Sequence, residues 1–254
     1  MEQKTLLIVG SEGRMGRQIA LEAGKQGYSL LGVDRVPGNG AFPVYDSLDK
    51  APAADVLVDF SSPACLDGIL AYARRHRVPC VLATTGYTDA QRADVEALAK
   101  DVPVFRSANM SVGIAVTRYL ARKARQMLGE AFDVEIIETH HRQKVDAPSG
   151  TAMMLYEAVR DACPGVEPLE AVYGRQGNAR REVQEIGIHA VRGGTVAGEH
   201  EVRFFGNMER VTIHHSAEDR AVFAVGAVRA ATFLLAQSAG MYDMDDMLGI
   251  RTAE

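Results

Sequence analysis

Cysteine is scarce in this chain: three among 254 residues, Cys65, Cys80 and Cys163. Their number is odd and their spacing matches no metal clip, so the simplest reading is reduced thiols in a cytoplasmic protein. Long apolar runs are missing as well. The longest, residues 221–236, contains Arg229 and is too short and interrupted to span a membrane. Positive charge is in short supply, with 28 Lys and Arg against 33 Asp and Glu and a formal net charge of −5. That balance argues against a nucleic-acid or anionic-membrane partner, although a local basic pocket can still hold an anionic substrate. The first residues, Met-Glu-Gln-Lys-Thr, lack the layout of a secretory leader. No H-E-x-x-H or cysteine cluster supports a metal, and the adjacent His214 and His215 face opposite sides of a strand. No metal is expected. What remains is ordinary for a soluble globular protein: 47% hydrophobic and 24% charged residues, enough for one large domain or two modest ones.

Residues 5–9 (TLLIV) form a short apolar run, as expected for a central parallel strand buried on both faces. The run ends in Gly10-Ser-Glu-Gly13-Arg14-Met15-Gly16, followed by a helical pattern over residues 17–25. This G-x-x-G-x-x-G spacing is a variant of the glycine-rich turn of a Rossmann unit. Gly10 allows the tight turn, Gly13 the approach of a pyrophosphate, and Gly16 close packing of helix on strand. A second run, residues 29–33, ends at Asp34, near the offset of about 20 residues expected for the ribose-binding acid. Asp34 favours NAD, while the neighbouring Arg35 suits the 2′-phosphate of NADP. The pair predicts relaxed preference between NADH and NADPH with NADH ahead; a surface ion pair at a strand end is the bland alternative. Strand-like runs at 55–60, 79–84 and 103–107 alternate with helical patterns at 65–75 and 89–100, giving a doubly wound parallel sheet. In such sheets ligands sit at the carboxyl ends of the strands. This singles out Phe60, then Thr84, Thr85 and Gly86, then Ala108, Asn109 and Met110 as candidate cofactor contacts, against a reading as loop punctuation and caps.

A long helical pattern leads from residue 111 to Leu128, with Gly129 as its stop, and residues 132–139 alternate like a half-buried strand. That strand delivers the densest chemistry in the chain, His140-His141-Arg-Gln-Lys144-Val-Asp-Ala-Pro-Ser149-Gly150-Thr151. Histidines move protons near neutral pH, Lys144 brings a point charge, and Ser149 is a candidate N-cap for a helix over residues 150–163, stopped by Pro164-Gly165. A helix entrance with outward N–H groups binds anions. Together these predict a site for a carboxylate-bearing small molecule. Residues 165–182 read as a long surface loop. Three runs, 185–191, 199–205 and 210–216, arrive without intervening helices and so predict an antiparallel or mixed sheet. His76, His189 and His200 read as surface or satisfied sheet residues, with His200 able to border the site. Residues 221–238 read as an apolar helix that returns to the first domain. The expected division is 1–110 with 221–254 as a dinucleotide-binding domain, and 111–220 as a substrate-binding and oligomerisation domain.

HHRQKVDAPSGTA, taken with GSEGRMG and the later GEHEV, closely resembles the 4-hydroxy-tetrahydrodipicolinate reductases (dihydrodipicolinate reductases), and the likeness runs over nearly the full chain. The resemblance implies a Rossmann domain plus a mixed α+β substrate and tetramerisation domain, a homotetramer, and NADH- or NADPH-dependent reduction of a small dicarboxylate in lysine biosynthesis. It implies His140 as proton donor, Lys144 as the cationic partner of the substrate, and His141, Ser149, Gly150 and Thr151 as carboxylate contacts. It also implies Arg220 as an arginine near the nicotinamide. Two features depart from the family pattern. Met110 stands where an aromatic residue is common, and the connection over residues 36–48 is short. Another nicotinamide-dependent dehydrogenase of an amino or semialdehyde acid, and a non-catalytic dinucleotide-binding sensor, are the competing readings.

Overall fold

A computed structural model of the chain describes residues 3–36, 41–163 and 169–250. The chain divides into two compact units, residues 1–112 with 221–254, and residues 113–220.

The first unit opens with β1 (Thr5–Val9), α1 (Arg14–Lys25), β2 (Ser29–Val33), β3 (Val44–Tyr45) and β4 (Val56–Asp59). It continues with α2 (Leu66–His76), β5 (Cys80–Leu82), α3 (Asp89–Leu98) and β6 (Pro103–Arg106). The second unit holds most of α4 (Val112–Leu128), then β7 (Asp133–His140), α5 (Gly150–Arg160), β8 (Glu170–Tyr173), β9 (Glu185–Arg192), β10 (Gly198–Phe205) and β11 (Arg210–Ala217). The chain returns to the first unit with α6 (Ala221–Leu234), β12 (Gly240–Tyr242) and α7 (Met244–Leu248).

The seven strands of the first unit pair in the order β12-β6-β5-β4-β1-β2-β3, every pair parallel. Strand order reverses between β1 and β4, which is where a doubly wound sheet opens a crevice beyond its strand ends. Leu6, Leu7 and Ile8 are all fully buried, because helices cover both faces and leave no solvent side to alternate towards. Leu7, Val9 and Leu57 pack with Leu66, Ile69 and Leu70 of α2 and Val95 and Leu98 of α3. α1 and α6 pack side by side on the alternate positions, with Ala227, Val228, Ala231 and Leu234 of α6 buried. Each large aliphatic side chain buried this way contributes about 1.5–3 kcal/mol.

In the second unit the order is β11-β10-β7-β9-β8. β10 runs antiparallel to β7 and β11, while β9 runs parallel to β7 and β8, so the sheet is mixed. α4 and α5 cover one face, packing Ala121, Ala152, Leu155 and Val159 against Val134, Ile136, Ile186, Ile188, Val202 and Phe204. Among the described residues of this unit, no helix lies on the other face. There Glu135 pairs with Arg175, Arg181 and His189.

Several boundaries differ from expectation. β8 lies inside the span read as a surface loop. It is a short edge strand flanked by glycine and arginine, and its pairing with β9 is visible only in three dimensions. α5 ends at Arg160, where Asp161 takes the C-cap position, rather than at residue 163. The expected Pro164-Gly165 stop lies outside the described residues. β7 runs on through His140, α1 begins at Arg14, and α6 ends at Leu234.

Candidate active site

At the strand ends of the first unit, Gly10 adopts φ +81° and its N–H donates to the Val33 carbonyl at 2.9 Å. A Cβ on Gly16 would stand 2.1 Å from the Gly10 carbonyl oxygen, so only glycine lets α1 start this close to β1. Gly13 is the N-cap residue, and no side chain caps the helix. Arg14 is exposed and Met15 half-buried in the first turn, which holds no acidic residue. The result is an open helix entrance whose dipole favours an anion. Asp34 follows β2. Its carboxylate accepts from the Glu12 N–H at 2.9 Å and the Arg35 N–H at 2.8 Å, while the Arg35 side chain is exposed. A cavity of about 710 Å³ opens beside the loop, bordered by Ser11, Glu12, Ala20, Leu30 and Phe42.

The other expected cofactor contacts sit at the neighbouring strand ends. Phe60 is half-buried and bonds to the Val9 carbonyl through its N–H at 3.2 Å. Thr84 Oγ1 accepts from the Ser61 N–H at 3.1 Å; Thr85 and Gly86 are exposed beyond it. Beneath them Asp59 is fully buried and accepts from Ser61 Oγ at 2.5 Å and the Tyr87 hydroxyl at 3.1 Å. Burial pushes this carboxyl above its ordinary value, against the opposing pull of the Ser61, Thr84 and Tyr87 hydrogen bonds. Ala108 is exposed, and Asn109 Oδ1 accepts from the Ser111 N–H at 2.8 Å. Met110 is 2% exposed, and its carbonyl lies so close to Gly226 that any Cβ there would collide with it.

The second unit gathers its chemistry where β7 ends. Strand alternation puts Glu138 and His140 on one face, the face covered by α5. His140 is 8% exposed and its Nδ1 lies 2.5 Å from Glu138 Oε2. His200, on β10, meets the His140 ring edge-on at a centroid distance of 5.1 Å. Ser149 caps α5, its Oγ accepting from the Ala152 N–H at 3.1 Å and lying 3.1 Å from His200 Nε2. Gly150 and Thr151 form the first turn of α5 behind that cap. The His141 N–H donates to the Val196 carbonyl, and Arg220 donates to His141 Nε2 at 3.0 Å. Arg220, expected on the cofactor side, therefore engages a residue of the substrate-side run. Lys144 pairs with Asp146 at 2.9 Å. Gly198 borders the free edge of His140, for a Cβ there would lie 3.0 Å from Nε2.

Electrostatics separate the two rings. Burial pulls His140 below its usual value and Glu138 pulls it back up, while Lys144 and Arg192 add to the lowering. Burial pushes His200 down to about 3. Glu138 is held below the usual carboxylate range. Burial opposes its charge, but Arg192, His140 and the Ser149 N–H together outweigh that cost. The assembly can hold an anion at a helix entrance and offer a proton from a restrained imidazole.

Residues 4–110 match the family model for the dihydrodipicolinate reductase N-terminus, and residues 113–248 match that for its C-terminus. This chain belongs to the dihydrodipicolinate reductase family. It is 42% identical over 248 residues to the 4-hydroxy-tetrahydrodipicolinate reductase of Clostridium tetani (strain Massachusetts / E88), covering 96% of both chains. With the enzyme of that name from Caldanaerobacter subterraneus subsp. tengcongensis it shares 44% over 247 residues, covering 96% of this chain and 97% of the relative. A solved structure of dipicolinate-bound dihydrodipicolinate reductase from Paenisporosarcina sp. TG-14 has the same fold, with a TM-score of 0.76 over 95% of this chain and 98% of that one, at 24% identity. Membership of this reductase family, with a Rossmann-like first unit, implies a nicotinamide cofactor and a small-molecule substrate.

Three residues gathered around His140 were not singled out from sequence: Glu138, Arg192 and Gly198. The period-two pattern of residues 132–139, carried one residue further, puts Glu138 beside His140. Arg192 and Gly198 come from other strands and leave no such local trace. His200 was expected only at the border, yet it meets the His140 ring edge-on and is 4% exposed.

Proposed function

We infer that this chain reduces 4-hydroxy-tetrahydrodipicolinate, by way of its dehydrated cyclic imine, to tetrahydrodipicolinate in the diaminopimelate route of lysine biosynthesis. The observation that carries the reading is the buried His140–Glu138 pair beside the Ser149-capped start of α5. It stands in a chain more than 40% identical, over nearly its whole length, to reductases of that name.

The residues of the first unit fit a nicotinamide dinucleotide. Gly10, Gly13 and Gly16 clear the backbone for a pyrophosphate, and Arg14 and Met15 sit in the turn that would face it. Both Asp34 oxygens already accept backbone N–H groups, and each keeps a lone pair for a ribose hydroxyl. The exposed Arg35 beside Asp34 would meet a 2′-phosphate, so both NADH and NADPH serve, with NADH ahead. Phe60, Thr84, Thr85, Gly86, Ala108, Asn109 and Met110 form the nicotinamide side, with Arg220 assigned near it by family likeness.

When bound, the reduced nicotinamide supplies a hydride to one carbon of the conjugated imine, and a proton is then needed at another position. His140 Nε2 delivers that proton. In the free chain its lowered basicity leaves the ring mostly neutral at pH 7, and a dianionic substrate raises it into the protonated form as it binds. Lys144 exchanges Asp146 for a substrate carboxylate, while His141, Ser149, Gly150 and Thr151 hold a carboxylate at the helix entrance. The dipicolinate held by the Paenisporosarcina enzyme is a ring dicarboxylate of the kind such a cradle accepts. The helix-free face of the second sheet serves self-association into a homotetramer.

His140→Gln is expected to lower kcat by about 10²–10⁴-fold while leaving NADH affinity, measured by fluorescence titration, within about twofold. Lys144→Ala is expected to raise substrate KM and lower kcat together. Wild-type turnover in the first variant removes His140 from the acid role, and unchanged kinetics in the second removes the carboxylate site.

A further inference from the structure

Glu138 is 0% exposed and its two carboxylate oxygens receive four donors. Oε2 receives His140 Nδ1 at 2.5 Å and Arg192 Nη1 at 2.7 Å, while Oε1 receives Arg192 Nη2 at 2.8 Å and the Ser149 N–H at 3.0 Å. An ionised carboxylate only accepts, so the shared hydrogen on the His140 side belongs to Nδ1. This leaves Nε2, beside Gly198, as the nitrogen that gains and loses the exchangeable proton.

Arg192 extends the arrangement. It stands opposite His140 in the parallel register of β7 and β9, and its Nη2 also donates to the Asp146 carbonyl at 2.7 Å. Asp146 in turn holds Lys144. A continuous set of bonds thus runs from the imidazole through Glu138 and Arg192 to the loop that carries the lysine, with Ser149 attached by its own backbone.

We propose that Glu138, clamped by Arg192, is a positioning residue of the reduction: it fixes His140 as the Nδ1–H tautomer and sets ring, lysine loop and helix entrance in one frame. The inference rests on the reading of His140 as proton donor. Glu138 also keeps the ring protonatable. Among the described residues it is the one negative group acting on His140, against Lys144, Arg192 and the neighbouring His200.

The test uses the full-length enzyme. Glu138→Gln presents an amide N–H₂ where Arg192 and His140 need acceptors, and so favours the opposite tautomer. Its kcat is expected to fall by about 10–1,000-fold with cofactor KM within about twofold. Loss of the negative partner is expected to move the decline of kcat/KM with rising pH to lower pH. In ¹⁵N-histidine NMR of the wild-type enzyme above the His140 pKa, the proton is expected on Nδ1 with Nε2 bare. That measurement needs no variant and decides the matter even if Glu138→Gln fails to fold. A proton found on Nε2 in the wild type overturns the inference, as does a folded Glu138→Gln enzyme with wild-type kcat and pH profile. His140→Gln separates the two levels. If it is inactive while Glu138→Gln is normal, only the positioning role falls; if it is active, the reading of His140 falls with it.

Discussion

His140 and His200 carry the same ring and meet edge to face, yet their surroundings assign them different tasks. His140 has a carboxylate on Nδ1 and stays protonatable. Burial is the main reason His200 resists a charge; His140, His215 and Lys144 add to the effect, and the Glu138 charge is too weak to compensate. Its value of about 3 keeps it neutral throughout the working range, as a packing and hydrogen-bonding partner of Ser149. The consequence for stability has a definite sign. On acidification the unfolded chain protonates its histidine first, near pH 6.5, so stability is lost as pH falls from there towards about 3. By pH 5 the loss from this one residue is about 2 kcal/mol. Denaturant unfolding of wild type and His200→Gln between pH 7 and 5 should show the variant with the flatter profile by about that amount. Parallel profiles would show that burial of His200 carries no such linkage.

α5 is the element on which fold and site depend together. Its entrance is held by the Ser149 hydroxyl to the Ala152 N–H and by the Ser149 N–H to Glu138, so the cap is tied to β7 as well as to its own helix. Ser149→Ala should therefore cost about 1 kcal/mol in unfolding free energy and also raise substrate KM. A stability loss with unchanged KM would make Ser149 a cap and nothing more. Local elements such as this were legible in the sequence. The glycine turn, the alternation over 132–139 and the Ser-Gly-Thr entrance each depend on residues within a turn or two of one another. The partners of His140 were not. Arg192 lies 54 residues from Glu138 and reaches it only because β9 pairs in parallel beside β7, and His200 arrives on β10 from the other side. Single-chain periodicity carries no register for such pairings. β8 was hidden for the same reason, as an edge strand with only one neighbour to define it.

The molecule as a whole joins a parallel-sheet unit closed by its own returning chain to a mixed-sheet unit inserted between residues 112 and 221. In the proposed function the first unit carries the nucleotide cradle and the second the substrate contacts. Among the described residues the second sheet is covered by helices on one face only, and the opposite face mixes Ile137 and Val191 with the charged set around Glu135. Sedimentation velocity should give a species of about 110 kDa, four chains of 27.5 kDa. A monomer at micromolar concentration would remove that face from the assembly role. The proposed preference between the two cofactors rests on the adjacent Asp34 and Arg35 after β2. Arg35→Ala should lower kcat/KM for NADPH by about tenfold and leave NADH within about twofold. Equal effects on both cofactors would exclude Arg35 as a 2′-phosphate contact.

The most direct measurement of the function is the oxidation of NADH and NADPH, followed at 340 nm, with 4-hydroxy-tetrahydrodipicolinate generated enzymatically in the same cuvette. Rapid oxidation of both cofactors that depends on that substrate, and that slows by about 10²–10⁴-fold with His140→Gln, is the expected result. No substrate-dependent oxidation of either cofactor by the folded wild-type enzyme would contradict it.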